Sequence, residues 1–169
     1  MSSPVTFTVT PYLSGDPAFV AWAGGISAAL DSAGLARQAD TGAVTSWGAQ
    51  TRPTPGTAPY FEIRKLATPA TGACPVYIKF SYGTNNGSTA YPMLLVSTGT
   101  GTDGAGNLTG PGSGVAPISV VPAGADNAPR TCYATYDGDG FVLSHSLEAA
   151  ATRFLVVVDR QRRPADGVA

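Results

Sequence analysis

Charged residues are scarce in this chain: Asp, Glu, Lys and Arg make up 12% of its 169 residues, about half the usual share. The formal net charge of −1 gives no electrostatic attraction to nucleic acid or to an anionic membrane surface. No apolar run approaches the ~18 residues of a transmembrane helix, and the N-terminus lacks the basic start and apolar core of a secretion signal. We therefore expect no nucleic-acid partner, no membrane partner and no secretion.

Cysteine and histidine are scarce as well. Cys74 and Cys132 are the only cysteines, and His145 is the only histidine. A Cys/His zinc site is therefore excluded. We expect two packed thiols, and a disulfide between Cys74 and Cys132 stays an open alternative if the strands that carry them pair.

Catalytic motifs are missing too. A serine nucleophile needs a strained turn such as G-x-S-x-G together with an oriented base, and the sequence contains no such turn. His145 lies between Ser144 and Ser146 on a predicted strand, which is typical of a half-buried polar residue. We therefore predict that the protein is not an enzyme and has no catalytic residues.

A glycine-rich run matches a nucleotide-binding fingerprint in letters only. Gly99 to Gly104 reads G-T-G-T-D-G, but G-x-G-x-x-G binds pyrophosphate only when a helix N-terminus follows it. Here more glycines and a proline follow, so no helix can begin. We predict that Thr98 to Gly114 forms an exposed, extended loop that becomes ordered against a neighbouring subunit, because its glycines lose much conformational freedom on ordering.

Two acidic turns carry oxygen atoms of the kind that bind calcium. They are Asp137 with Asp139, and Asp103 with Asn107. Neither run has further acidic ligands, and Asp-Gly is the ordinary composition of a tight turn. We expect no metal and no cofactor.

Two other groups of side chains could contact further molecules. Arg160, Arg162 and Arg163 form the one basic cluster of the sequence, which is either a solvated end or an ionic contact with a neighbouring subunit. Six tyrosines on or beside predicted strands either pack in a sheet or line a sugar-binding face; they are Tyr60, Tyr77, Tyr82, Tyr91, Tyr133 and Tyr136.

One helix signal is clear. Asp16 is a good N-cap, and Pro17 at the first helical position loses no hydrogen bond. Gly34 provides a left-handed stop. The spacing predicts a helix from Asp16 to Ala33, with Asp31 as a surface residue that tolerates replacement by alanine. Its apolar stripe consists of Phe19, Trp22, Ile26 and Leu30.

Strand patterns of alternating residues occupy much of the rest of the chain. The segments 76–82 and 92–96 are expected to form a long hairpin at the middle of an antiparallel sheet, and prolines at both ends place 118–121 at an edge. Residues 44–59 are predicted to form an irregular loop in which Trp47 packs or lies at a subunit contact. The other predicted strands are 5–12, 35–39, 60–66, 131–136, 141–146 and 154–158.

Together these elements predict one α+β domain comprising residues 1–169. In it, an antiparallel sheet of about six to eight strands packs the helix on one face. The alternative is a two-sheet β-sandwich with the helix at its edge.

Several stretches in this order are similar to a known group of proteins. Ala39 to Gly42 reads A-D-T-G, and a Y-F-E-I-R strand follows. Pro75 to Gly83 then reads P-V-Y-I-K-F-S-Y-G, and Thr98 to Gly110 reads T-G-T-G-T-D-G-A-G-N-L-T-G. This resembles small tail and virion structural proteins of tailed bacteriophages, over the span 19–167. The resemblance implies an assembly role and brings no catalytic residues with it.

We therefore expect a non-enzymatic structural component of a tailed-phage virion, from the tail, the tail tip or baseplate, or the neck. It would be made in the host cytoplasm and would work through contacts with other virion proteins in a symmetric homo-oligomer. A surface poor in charge suits such contacts, because it loses little hydration when neighbours bury it. The alternative is a carbohydrate-binding or host-receptor adhesion module of the particle.

Overall fold

The described part of the chain contains one helix and eleven strands. The computed structural model describes residues 4–9, 16–66, 75–86, 91–110, 116–119, 130–136, 140–145 and 154–159. Each predicted strand is present in the described residues, and β6 and β7 are additional. The predicted strand residues 10–12, 120–121 and 146 lie outside the described part. The elements are β1 (Val5–Val9), α1 (Asp16–Ser32), β2 (Ala36–Arg37), β3 (Tyr60–Lys65), β4 (Tyr77–Thr84), β5 (Pro92–Gly99), β6 (Gly101–Thr102), β7 (Leu108–Thr109), β8 (Ala116–Ser119), β9 (Arg130–Tyr136), β10 (Gly140–His145) and β11 (Phe154–Asp159).

The helix α1 agrees with its prediction. Its end is closed by two backbone hydrogen bonds, from Gly34 N–H to Asp31 O at 3.0 Å and from Leu35 N–H to Leu30 O at 3.1 Å. Gly34 has φ +89°, so this is a Schellman cap that needs glycine at the left-handed position. The predicted stripe is at most 1% exposed and consists of Phe19, Trp22, Ile26 and Leu30.

The five-stranded sheet has the order β2-β3-β4-β5-β8 and is antiparallel throughout. The predicted long hairpin, β4 with β5, lies at its middle. Its strands pair from Tyr77 opposite Gly99 to Thr84 opposite Pro92. The strand β8, which contains Pro117, forms one edge as expected, because proline lacks the N–H that a further strand would need.

The four-stranded sheet has the order β1-β9-β10-β11 and is also antiparallel. The hairpin of β9 and β10 confirms the pairing that the sequence predicts there. The acidic turn predicted between these two strands, at residues 137–139, lies outside the described residues.

Both sheets and the helix share one hydrophobic core. Each sheet turns one face, here called its inner face, toward α1 and toward the other sheet. The rings of Phe80 in β4 and Phe141 in β10 meet edge to face with centroids 5.9 Å apart. The α+β prediction is therefore confirmed. The strands are divided between two main sheets of four and five strands, as in the two-sheet alternative. The expectation of one sheet of about six to eight strands is therefore wrong. The helix contributes to the common core of the two sheets.

The glycine-rich run corrects an expectation. It folds into the short hairpin of β6 and β7, whose turn packs on the outer face of the five-stranded sheet. Lys79 Nζ donates to Gly106 O at 2.7 Å, and Thr41 N–H donates to Gly104 O at 2.8 Å. The prediction of an extended loop ordered by a neighbouring subunit is wrong for residues 98–110, because Gly106 has no Cβ and can lie directly against the Phe61 ring. Residues 111–114 lie outside the described part.

No helix among the described residues is long and apolar enough to cross a membrane.

Candidate functional site

The most unusual feature of the described chain is a charged cluster between α1 and the five-stranded sheet. Glu62 and Arg64 lie on β3, two residues apart and therefore on the same face. Both are 0% exposed, and that face is the one covered by the helix. Buried ionised side chains are stable only when they are paired and hydrogen-bonded, so the contacts of this pair define what the cluster does.

Both oxygens of the Glu62 carboxylate accept hydrogen bonds from other side chains. Arg64 Nη2 donates to its Oε2 at 2.6 Å, and Ser27 Oγ of the helix donates to the same oxygen at 3.0 Å. The Tyr82 hydroxyl donates to Oε1, and Arg37 Nη2 lies 3.4 Å from Oε2. Side chains from α1, β2, β3 and β4 therefore converge on one carboxylate.

The Arg64 guanidinium joins the end of the helix to the sheet. Its Nη1 donates to Leu35 O at 3.0 Å and to Asp31 Oδ1, and its Nη2 donates to Ser27 O at 3.2 Å. Arg37 adds a parallel link, because its Nη2 donates to Asp31 Oδ2 at 3.1 Å. Asp31 is 54% exposed but is bound to two arginines. Its predicted surface position is therefore confirmed, whereas these two contacts argue against the predicted tolerance of alanine.

The protonation states in this cluster follow from burial and charge. Burial alone would lower the pKa of Arg64, but the attraction of Glu62 and the contact with Asp31 outweigh it and raise that pKa above its ordinary value. Burial, and then the negative charge of Glu62, raises the pKa of the Tyr82 hydroxyl well above its ordinary value. Arg64 therefore stays charged, and Tyr82 stays a proton donor to Glu62.

This arrangement suits a fixed crosslink better than acid–base chemistry. A general acid or base needs an open route to a substrate proton, whereas the oxygens of Glu62 are already occupied by groups of the protein itself. The cluster holds α1 at one position on the sheet. We refer to Ser27, Asp31, Arg37, Glu62, Arg64 and Tyr82 together as the helix–sheet ion cluster.

The predicted polar candidates do not come together in one site within the described chain. His145 ends β10 and pairs in register with Cys132 and Phe154. Ser144, one residue earlier, lies on the opposite face of the same sheet. No group of three or more His, Cys, Asp or Glu side chains in the described ranges has the arrangement of a metal site.

Asp103 and Asn107 form a tight turn, as their composition predicts. Asp103 accepts hydrogen bonds from Ala105 N–H at 2.8 Å, from Asn107 N–H at 3.0 Å and from Asn107 Nδ2 at 2.8 Å. The bonds from Asn107, then that from Ala105, hold the pKa of Asp103 below its ordinary value. Both carboxylate oxygens of Asp103 therefore accept hydrogen bonds from within the turn. Asp137 and Asp139 lie outside the described residues.

The six tyrosines do not share a face. Tyr60 and Tyr82 are paired across β3 and β4 on the inner face, whereas Tyr77 lies on the outer face of the same sheet. Tyr133 is 45% exposed on the other sheet. Trp47 packs against both of these inner-face tyrosines, and its ring centroid lies 4.8 Å from that of Tyr82. Tyr91 adjoins β5, and Tyr136 packs against the core. Trp47 also packs against the core of its own chain, which agrees with the first of the two expectations for this residue, packing or a subunit contact.

Of the two cysteines, Cys132 lies among the described residues. Cys132 is a buried thiol of the core, and burial raises its pKa to about 12. Cys74 lies outside the described residues, as do Arg160, Arg162 and Arg163.

The outer face of the four-stranded sheet has a different character from all of these. We call it the threonine face. The register places on it nine uncharged residues, with Asp159 at the end of β11 as the charged residue in the same row. The nine are Thr6, Thr8, Thr131, Tyr133, Thr135, Val142, Ser144, Leu155 and Val157. The exposed large apolar side chains of the described chain, Tyr133 at 45% and Val157 at 57%, both lie on it.

Sequence reasoning missed the helix–sheet ion cluster. The strand Y-F-E-I-R-K places Phe61 and Ile63 on one face and Glu62 and Arg64 on the other, and alternation alone favours burial of the apolar pair. One signal was present: Glu62 and Arg64 are opposite charges on one strand face, in a chain that has few charges.

A comparison with protein-family models gave no match, and comparisons with curated proteins and with solved structures gave none either.

Proposed function

We propose that this chain is a non-enzymatic structural component of a tailed-phage particle, belonging to the tail, its tip or baseplate, or the neck. In the particle it binds other virion proteins and further copies of itself. The resemblance of the stretches 75–83 and 98–110 to small virion proteins motivates the proposal. The observation that carries it is the threonine face.

The threonine face has the properties of a surface that a neighbouring protein covers. Charged groups lose hydration when they are buried, so the centres of protein interfaces are depleted of them and enriched in tyrosine. Nine positions on this face are uncharged, and Tyr133 and Val157 stand exposed among hydroxyl-bearing residues. A small protein that acts alone in water would gain solubility from charges here. A subunit in an assembly gains from their absence.

Two fully buried charged residues support the same proposal. Glu62 and Arg64 are buried inside the domain, where they fix the helix. Neither side chain reaches the surface. The protein thus uses these charges for internal rigidity, which an assembly subunit needs in order to present its contact face at one geometry.

A second candidate function, adhesion to a glycan, rests on Tyr133 alone. Its ring lies between Thr6 and Ser144 in register, and an exposed ring flanked by hydroxyl groups can stack on a sugar. Binding of the isolated chain to a glycan array, lost in Tyr133→Ala, would favour this function.

The test of the virion proposal is complementation of a phage from which the gene for this chain has been deleted. We expect the wild-type chain, supplied in the host, to be recovered in purified particles at a fixed copy number. We expect Tyr133→Glu to be absent from particles, because it places a charge at the centre of the threonine face. Infectious particles that never contain the wild-type chain would refute the proposal.

The matched control is Ala28→Glu, which adds the same charge at an exposed position of α1 away from the threonine face. It should be incorporated like the wild type. Both variants should have the circular-dichroism spectrum of the wild type, so that loss of incorporation reports a lost contact and not a lost fold.

A further inference from the structure

We draw no further inference here: the strongest candidate, the threonine face of the four-stranded sheet with its exposed Tyr133 and Val157, already carries the proposed function, and nothing in the structure shows which partner covers it.

Discussion

The two faces of the five-stranded sheet are covered in different ways. On the inner face, α1 is held by apolar side chains and by the helix–sheet ion cluster, in which Glu62 and Arg64 are fully buried. On the outer face, the hairpin of β6 and β7 approaches through its backbone. Lys79 Nζ lies 4.4 Å from the Phe61 ring centroid and donates to Gly106 O.

This difference indicates which kind of substitution should destabilise the fold at each face. The inner face depends on groups that must all be present, because a buried charge that loses its partner is strongly destabilising. The outer face depends on a group that must be absent, because a Cβ at Gly106 would overlap the Phe61 ring. We therefore expect deletions to damage the inner face and additions to damage the outer face.

The largest effects are expected on the inner face, and Trp22→Ala is one of them. Trp22 is 1% exposed and its ring meets Phe19 and Tyr82. Its removal should lower the free energy of unfolding by about 3–5 kcal/mol, measured by denaturant unfolding. A variant as stable as the wild type would show that the helix is not anchored at this residue.

On the outer face, Gly106→Ala should lower the free energy of unfolding by about 2–4 kcal/mol. The added methyl group forces the Phe61 ring to move, which costs about 1–3 kcal/mol, and a side chain at φ +90° adds backbone strain of about 1 kcal/mol. Gly104→Ala is the matched control. Gly104 also has a positive φ, +77°, but its added Cβ would meet nothing within 4 Å. The free energy of unfolding of Gly104→Ala should therefore fall by about 1 kcal/mol, which is the backbone strain of alanine at a positive φ. Equal losses in the two variants would contradict close packing at Gly106.

Asp31→Ala tests the exposed border of the inner face. Because Asp31 binds Arg64 and Arg37 but is half exposed, solvent screening reduces the value of these ion pairs. We expect a loss of about 1 kcal/mol, greater than at an unlinked surface site. Asp31→Asn keeps an acceptor without the charge and should lose less. A loss in Asp31→Ala no larger than that of Ala28→Glu would show that the contact does not contribute.

The smallest effect concerns the core thiol and appears only at alkaline pH. Cys132 has a folded-state pKa of about 12 against an ordinary value of 9.0. Between these values the unfolded chain releases a proton that the folded chain keeps, so stability falls as pH rises. Unfolding measured from pH 8 upward should show this fall, and Cys132→Ala should lessen it. A slope identical in both proteins would exclude the thiol as its source.

The fold was largely predictable because its signals are local. The cap at Asp16, the stripe that includes Trp22 and the stop at Gly34 specify a helix without reference to other segments. Alternation specifies strands in the same way, although it does not tell how they divide between two sheets, since that depends on which strands meet across the chain.

The helix–sheet ion cluster was not predictable by the same means. Glu62 and Arg64 are buried because Ser27, Asp31 and Tyr82, from 20 to 37 residues away, supply their partners. The glycine hairpin was mispredicted for a related reason. Glycine content reports conformational freedom, but the contact of Gly106 with Phe61 and Lys79 forms only after the sheet exists.

The central claim is that Glu62 and Arg64 are stable beneath the helix only as a pair, because each of these buried charges needs the other. A double-mutant cycle of Glu62→Gln and Arg64→Met tests it most directly. Each single variant should lose about 3–5 kcal/mol of unfolding free energy. The double variant should lose at least about 2 kcal/mol less than the sum, because it leaves neither of the two charges without the other. Losses that add within about 0.5 kcal/mol would contradict the claim.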